Sequence, residues 1–230
     1  MILERLDTSL YAASCQQKLE RRDIKQAVRS TLKGLALLHS HGLIHNDVKP
    51  DNILANRGQG SQRFAEIKLS DLGDSSLHNS AKRNTEPISG TAVYRAPEMI
   101  LRVPSTTAVD IWALGATTLF FMAGDHFFAP KSKGPEDDLV HDHILRRQMK
   151  CFGPFPEQFI DVVPHIYREY YIDLEQSIGF YPNRWPGPLA SFLSPEEEEF
   201  VRLLLKPDPR DRPSATEAIH HPWLKVTDSN

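Results

Sequence analysis

From Ile111 to Gly124 the chain is apolar almost without interruption. The run is too short to cross the ~30 Å hydrocarbon core of a bilayer. It therefore reads as a core helix buried on every side. Such a helix needs a shell of amphipathic partners. The segment from about Ser14 to His41 supplies one, because Ile24, Val28, Leu32, Leu35 and Leu38 recur at three- and four-residue steps and form one apolar stripe. Gly42 follows and suits the end of a helix. Further helices are expected from about Thr107 to Ala123, from Leu139 to Met149, and over 196–205. Ser194 caps the last of these, Pro195 suits its first turn, and Glu196 to Glu199 meet the positive end of its dipole. Ser214-Ala215-Thr216-Glu217 fits a capping box. Strand signal is confined to pieces around Ile53-Leu54 and Ile67-Leu69, with a turn-like Asn56–Gln62 linker. The predicted class is mainly α with a short β-hairpin.

Length and charge narrow the field. The 230 residues suffice for one sizeable domain or two small ones. A net charge of −3 gives no bulk attraction to nucleic acid or acidic membranes. Cys15 and Cys151 are far apart, which argues against a disulfide framework and for a reducing compartment. The N-terminus reaches Glu4 and Arg5 at once and has no signal-peptide core. The expectation is a soluble protein of cytoplasm or nucleus, neither secreted nor membrane-spanning. His141-x-His143 and His220-His221 lack the companions of a zinc site, so none is expected there.

The chemistry sits in five separated motifs. His45-Asn46-Asp47-Val48-Lys49-Pro50-Asp51-Asn52 gives Asp47 and Asn52 the spacing that lets one orient a hydroxyl and the other hold Mg²⁺. Asp71-Leu72-Gly73 opens a long polar segment, 71–98, of the kind that carries function. That segment ends in Gly90-Thr91-Ala92-Val93-Tyr94-Arg95 and Ala96-Pro97-Glu98. Val109-Asp110-Ile111-Trp112 leads into the apolar helix, and Asp208-Pro209-Arg210-Asp211-Arg212-Pro213 closes the series. A lone D-L-G triplet carries almost no weight. All five in this order resemble the helical C-terminal lobe of a eukaryotic protein kinase, over essentially the whole chain. The A-P-E triplet and the D-x-W helix separate it from small-molecule kinases.

That resemblance implies a protein-kinase-like fold, ATP and Mg²⁺ as cofactors, and Ser/Thr residues of a protein as substrate. Asp47 and Lys49 would be catalytic. Asn52 and Asp71 would hold Mg²⁺, Lys49 would meet the transferring phosphate, and Thr91 would bond Asp47 and Lys49 beside the substrate. Residues 3–6 resemble the hinge between kinase lobes. Leu3 falls at its gatekeeper position, Glu4 and Leu6 lie beside adenine, and Leu54 forms the floor. His45, Asp110, Glu98 and Arg212 would be structural, with Asp110 holding the catalytic loop and Glu98 paired with Arg212. Asn46 stands where many kinases have an Arg that grips a phosphorylated loop. This puts control through Ser76, Ser80, Thr85 or Ser89 in question. Tyr94-Arg95 is similar to the CMGC group, and the D-L-G variant to its SR-protein and dual-specificity kinases.

Residues 1–230 contain neither a G-x-G-x-x-G loop nor a V-A-I-K lysine. The expectation is a partial domain, with hinge 3–6, catalytic loop 45–52 and activation segment 71–98, missing its N-terminal lobe. On its own it should bind ATP weakly and turn over little. Its upper face should expose Leu3, Leu6 and Leu54 to a partner. The rival reading is a non-catalytic interaction module.

Overall fold

The computed structural model describes residues 4–78, 88–129, 137–153, 155–178 and 192–225. Leu3, Ser80 and Thr85 lie outside them. A short strand β1 (Thr8–Ser9) runs into helix α1 (Leu10–Gln16), whose first turn is capped by the Ser9 hydroxyl accepting from Ala12 N. Helix α2 spans Arg21–Ser40. The single helix expected from about Ser14 is thus two. The break has a physical cause: the guanidinium of Arg63 takes the carbonyls of Ala13, Gln17 and Lys18. Glu20 and Asp23 then restart the helix as a reciprocal capping box. Gly42, at φ 70°, ends α2 in the left-handed region.

Strands β2 (Leu43–Ile44), β3 (Ile53–Arg57), β4 (Phe64–Leu69) and β5 (Ser76–Leu77) follow. The expected hairpin is β3–β4, antiparallel with Ile53 opposite Leu69. It gains β1 as a third strand, Thr8 opposite Ala55 and Ser9 opposite Leu54. β2 and β5 pair separately. The remaining helices are α3 (Pro97–Ile100), α4 (Ala108–Ala123), α5 (Asp137–Phe152), α6 (His165–Ile178), α7 (Pro195–Leu204) and α8 (Ala215–Ala218). α6 arises in a Pro- and aromatic-rich region that gave no helical signal in sequence.

α4 is buried from Val109 to Met122, as its uniform apolarity requires. α2 packs on β4, α4 and α8, and α4 packs on α7. The Ser214–Glu217 capping box closes as expected, and the Ser194 cap proves to be a second such box, closed by Glu197. Arg212 lies in the core. Its guanidinium bonds Glu98 at 2.6 and 2.8 Å and the carbonyls of Lys206, Ala108 and Pro207, and its face covers Trp112. Among the described residues no helix is long and apolar enough to cross a membrane. No group of three or more His, Cys, Asp or Glu among them is arranged to hold a metal.

Candidate active site

The site is built outward from one buried carboxylate. Asp110, in the first turn of α4, is fully buried. Its oxygens accept the backbone N–H groups of His45 and Asn46, both at 2.8 Å, and contact His39 Nε2 at 2.9 Å. Two otherwise orphaned loop donors are satisfied this way, which fixes residues 45–46 on the rigid core helix. The buried His45 ring adds a second anchor. Its Nε2 donates to the Ser70 carbonyl at 2.9 Å, because a carbonyl can only accept. Nδ1 is then left to accept Asp47 N at 3.3 Å. The loop is thereby locked to the end of β4.

Asp47 takes bonds on both of its carboxylate oxygens. One oxygen accepts both the N–H and the hydroxyl of Thr91, at 2.8 and 2.9 Å. The other accepts Asn52 Nδ2 at 2.9 Å and meets Lys49 Nζ at 2.7 Å. Lys49 Nζ also donates to Thr91 Oγ1 at 2.8 Å. Burial pushes the Asp47 carboxyl up. The hydrogen bonds from Lys49 and Thr91 and the Lys49 charge outweigh that and hold it below the ordinary aspartate value.

Asn52 donates its amide nitrogen twice to Asp47, and its backbone carbonyl accepts the N–H and hydroxyl of Ser70. Its amide oxygen has no partner among the described residues. Asp71 follows at φ 64°, is exposed, and accepts Gly73 N at 3.2 Å. No cation pairs with it among the described residues. A primary-amide oxygen and an unneutralised carboxylate are the hard donors that Mg²⁺ takes, with waters and phosphate oxygens completing its shell. The residues present fit Mg·ATP.

Four residues have roles that sequence reasoning missed. Asn46, buried and at φ 68°, donates its amide to the Asp74 carbonyl at 2.8 Å and to Ser76 Oγ at 3.0 Å. Asp74 in turn accepts Gly90 N at 2.9 Å. Gly90 sits at φ 76°, and a Cβ there would lie 2.2 Å from the Asn46 carbonyl. Residues 74–76 are thus tied to the 45–52 loop by the Asn46 amide, and Gly90 by close backbone contact with Asn46. The position treated as a lost Arg is a working tether. One signal was available: Asn tolerates the left-handed region better than other non-glycine residues. Arg95 secures the same segment through the carbonyls of Ser89, Ile88 and Gly90.

The expected adenine side departs from the sequence reading. Leu6 and Leu54 are half-buried, not open. Leu54 lies in β3 between Ser9 and Lys68, which explains its cover. Among the described residues the exposed leucines are Leu37 at 63%, Leu72 at 55% and Leu77 at 62%. Glu4 points to solvent and pairs with Lys68 at 2.5 Å.

A loop, 45–52, hung on a buried aspartate, a second segment closed on its Asp47, and a mainly helical fold define a kinase-like protein. Residues 1–224 match the family model of the protein kinase domain, and the chain belongs to that family. It is 29% identical over 224 residues to the mitogen-activated protein kinase HOG1 of Wallemia sebi, covering 97% of this chain and 73% of that one. It is 30% identical over 230 residues to mitogen-activated protein kinase mpkC of Aspergillus niger, covering 98% and 52%. It is 26% identical over 218 residues to the calcium/calmodulin-dependent protein kinase cmkA of Emericella nidulans, covering 94% and 42%. The chain therefore spans about half the length of most of these relatives.

Proposed function

We propose that this chain forms the hinge and catalytic-loop half of a protein kinase that moves the γ-phosphoryl group of ATP to Ser or Thr of a protein. The observation that carries the reading is the closed triangle of Asp47, Lys49 and Thr91. In it an ionised carboxylate and an ammonium share one small hydroxyl. Asp47 takes the proton of the attacking substrate hydroxyl, and Lys49 offsets charge on the transferring phosphate. Thr91 positions both groups and borders the substrate. Asn52 and Asp71 hold Mg²⁺, and Leu6, Leu54 and the Glu4 segment border adenine. When bound, Mg·ATP supplies the phosphoryl group and the charge neutralisation that transfer needs. The setting that suits this chemistry is the cytoplasm or nucleus.

Residues 1–230 by themselves contain no glycine-rich loop to cover the phosphates. In a wet, open groove charge interactions are weak. The isolated polypeptide should bind Mg·ATP weakly and turn over little. The test is phosphorylation of Ser/Thr and Tyr peptides by the protein purified from its own cells. The expected result is Ser/Thr labelling that Asp47→Asn lowers by at least ~10²-fold. Labelling of tyrosine alone would contradict the reading. So would partner binding indifferent to Asp47→Asn and Asp71→Asn with no transfer at all, which is the behaviour of an interaction module.

A further inference from the structure

We propose that the groove between the first half of α2 and the β3–β4 turn docks an acidic segment of a protein partner. The groove has a volume of about 410 Å³ and is lined by Arg21, Arg22, Lys25, Arg29 and Arg63 with one carboxylate, Asp23. Arg21, Lys25 and Arg29 stand four residues apart and share one face of α2.

Three of the five cations are paired with carboxylates, and the charges of Lys25 and Arg29 are left over. Asp23 is 3% exposed, and its oxygens face Glu20 N at 3.1 Å and Arg63 at 3.6 Å. Glu197 meets Arg21 at 2.8 Å and Glu20 meets Arg22 at 3.0 Å. Arg29 bonds the Leu224 carbonyl, which satisfies a donor and leaves the charge standing. Lys25 lies over the Trp223 ring at 5.7 Å. Neither Lys25 nor Arg29 has a carboxylate partner among the described residues. The aliphatic stems of these side chains give the groove apolar walls between the charged heads.

The overall charge of −3 selects the occupant. A long polyanion would meet repulsion beyond the groove, whereas a short acidic peptide meets only its cations. The position is also separate from the chemistry. Arg29 stands about 17 Å along the axis of α2 from its end at Ser40, beyond which the 45–52 loop follows, at 1.5 Å per residue. The site therefore serves docking and does not depend on the phosphoryl-transfer reading.

The test is fluorescence anisotropy of the protein, without nucleotide, using a labelled glutamate-rich peptide interrupted by leucines. The same peptide with lysine in place of glutamate is the control. The expected result is binding of the acidic peptide alone, weakening as salt rises. Arg22→Glu with Lys25→Glu should weaken it at least ~10-fold. These two are chosen because Arg29 and Arg63 hold backbone carbonyls, and a thermal melt checks folding. Should the pair fail to fold, Lys25→Gln alone should still weaken binding. Unchanged binding in the folded variants overturns the proposal. So does equal binding of the lysine peptide, or equal competition by inorganic polyphosphate or phosphatidylserine vesicles, which would mark a generic polyanion surface.

Discussion

At the scale of single residues, Asp47 shows how competing effects resolve. Burial raises its pKa, and Lys49 and Thr91 together lower it further than burial lifts it. A carboxyl-resolved NMR titration should place Asp47 below an ordinary aspartate, and Lys49→Met should move it up. The sign for stability follows. A carboxyl depressed by folding contributes stability that is fully present above its unfolded pKa and is lost as pH falls through its folded value. Urea midpoints of Asp47→Asn should therefore fall less on acidification than those of the native protein. Asn46 carries a separate expectation. Asn46→Ala removes the amide that the Asp74 carbonyl and Ser76 hydroxyl share, at a cost of about 1–3 kcal/mol. Faster amide hydrogen exchange at residues 74–77, with the α4 core unchanged, would show the tether failing locally. Exchange unchanged at 74–77 would remove its role. Residue types at motif positions were readable because the side chains of Asp, Asn, Lys and Thr are themselves the groups the proposed chemistry uses. The Asn46–Asp74–Gly90 unit was not readable, since it depends on backbone geometry that brings distant positions together.

At the scale of elements, the uniformly apolar α4 and the striped α2 were legible because burial dictates their patterns. The break between α1 and α2 was not, for two reasons. Its cap is a pair of carboxylates, Glu20 and Asp23, with no Ser or Thr at the helix start, and its terminator is Arg63 from another element. The β2–β5 bridge was likewise hidden, because two-residue strands leave no alternation to read. The Glu98–Arg212 pair joins α3 to the loop before α8 and has its own consequence. Glu98→Gln leaves a buried guanidinium without its counter-charge and should cost ~3–5 kcal/mol in urea unfolding. Arg212→Met should cost more than that, because it also orphans the carbonyls of Lys206, Ala108 and Pro207. Equal costs would mean those carbonyl bonds contribute nothing.

At the scale of the whole molecule, one core helix supports the catalytic loop through Asp110, and a second, α2, links that loop to a cationic groove at its far end. The central claim is that Asn52 and Asp71, beside Leu6 and Leu54, form the Mg·ATP half-site of a protein kinase. The measurement that reaches it most directly is an NMR titration of residues 1–230 with ATP, with and without Mg²⁺. The account predicts Mg²⁺-dependent shifts centred on Leu6, Asn52, Leu54 and Asp71, unsaturated in the micromolar range and abolished by Asp71→Asn. Shifts that centre elsewhere, that ignore Asp71→Asn, or that saturate at micromolar ATP with Asp47-dependent turnover would contradict it.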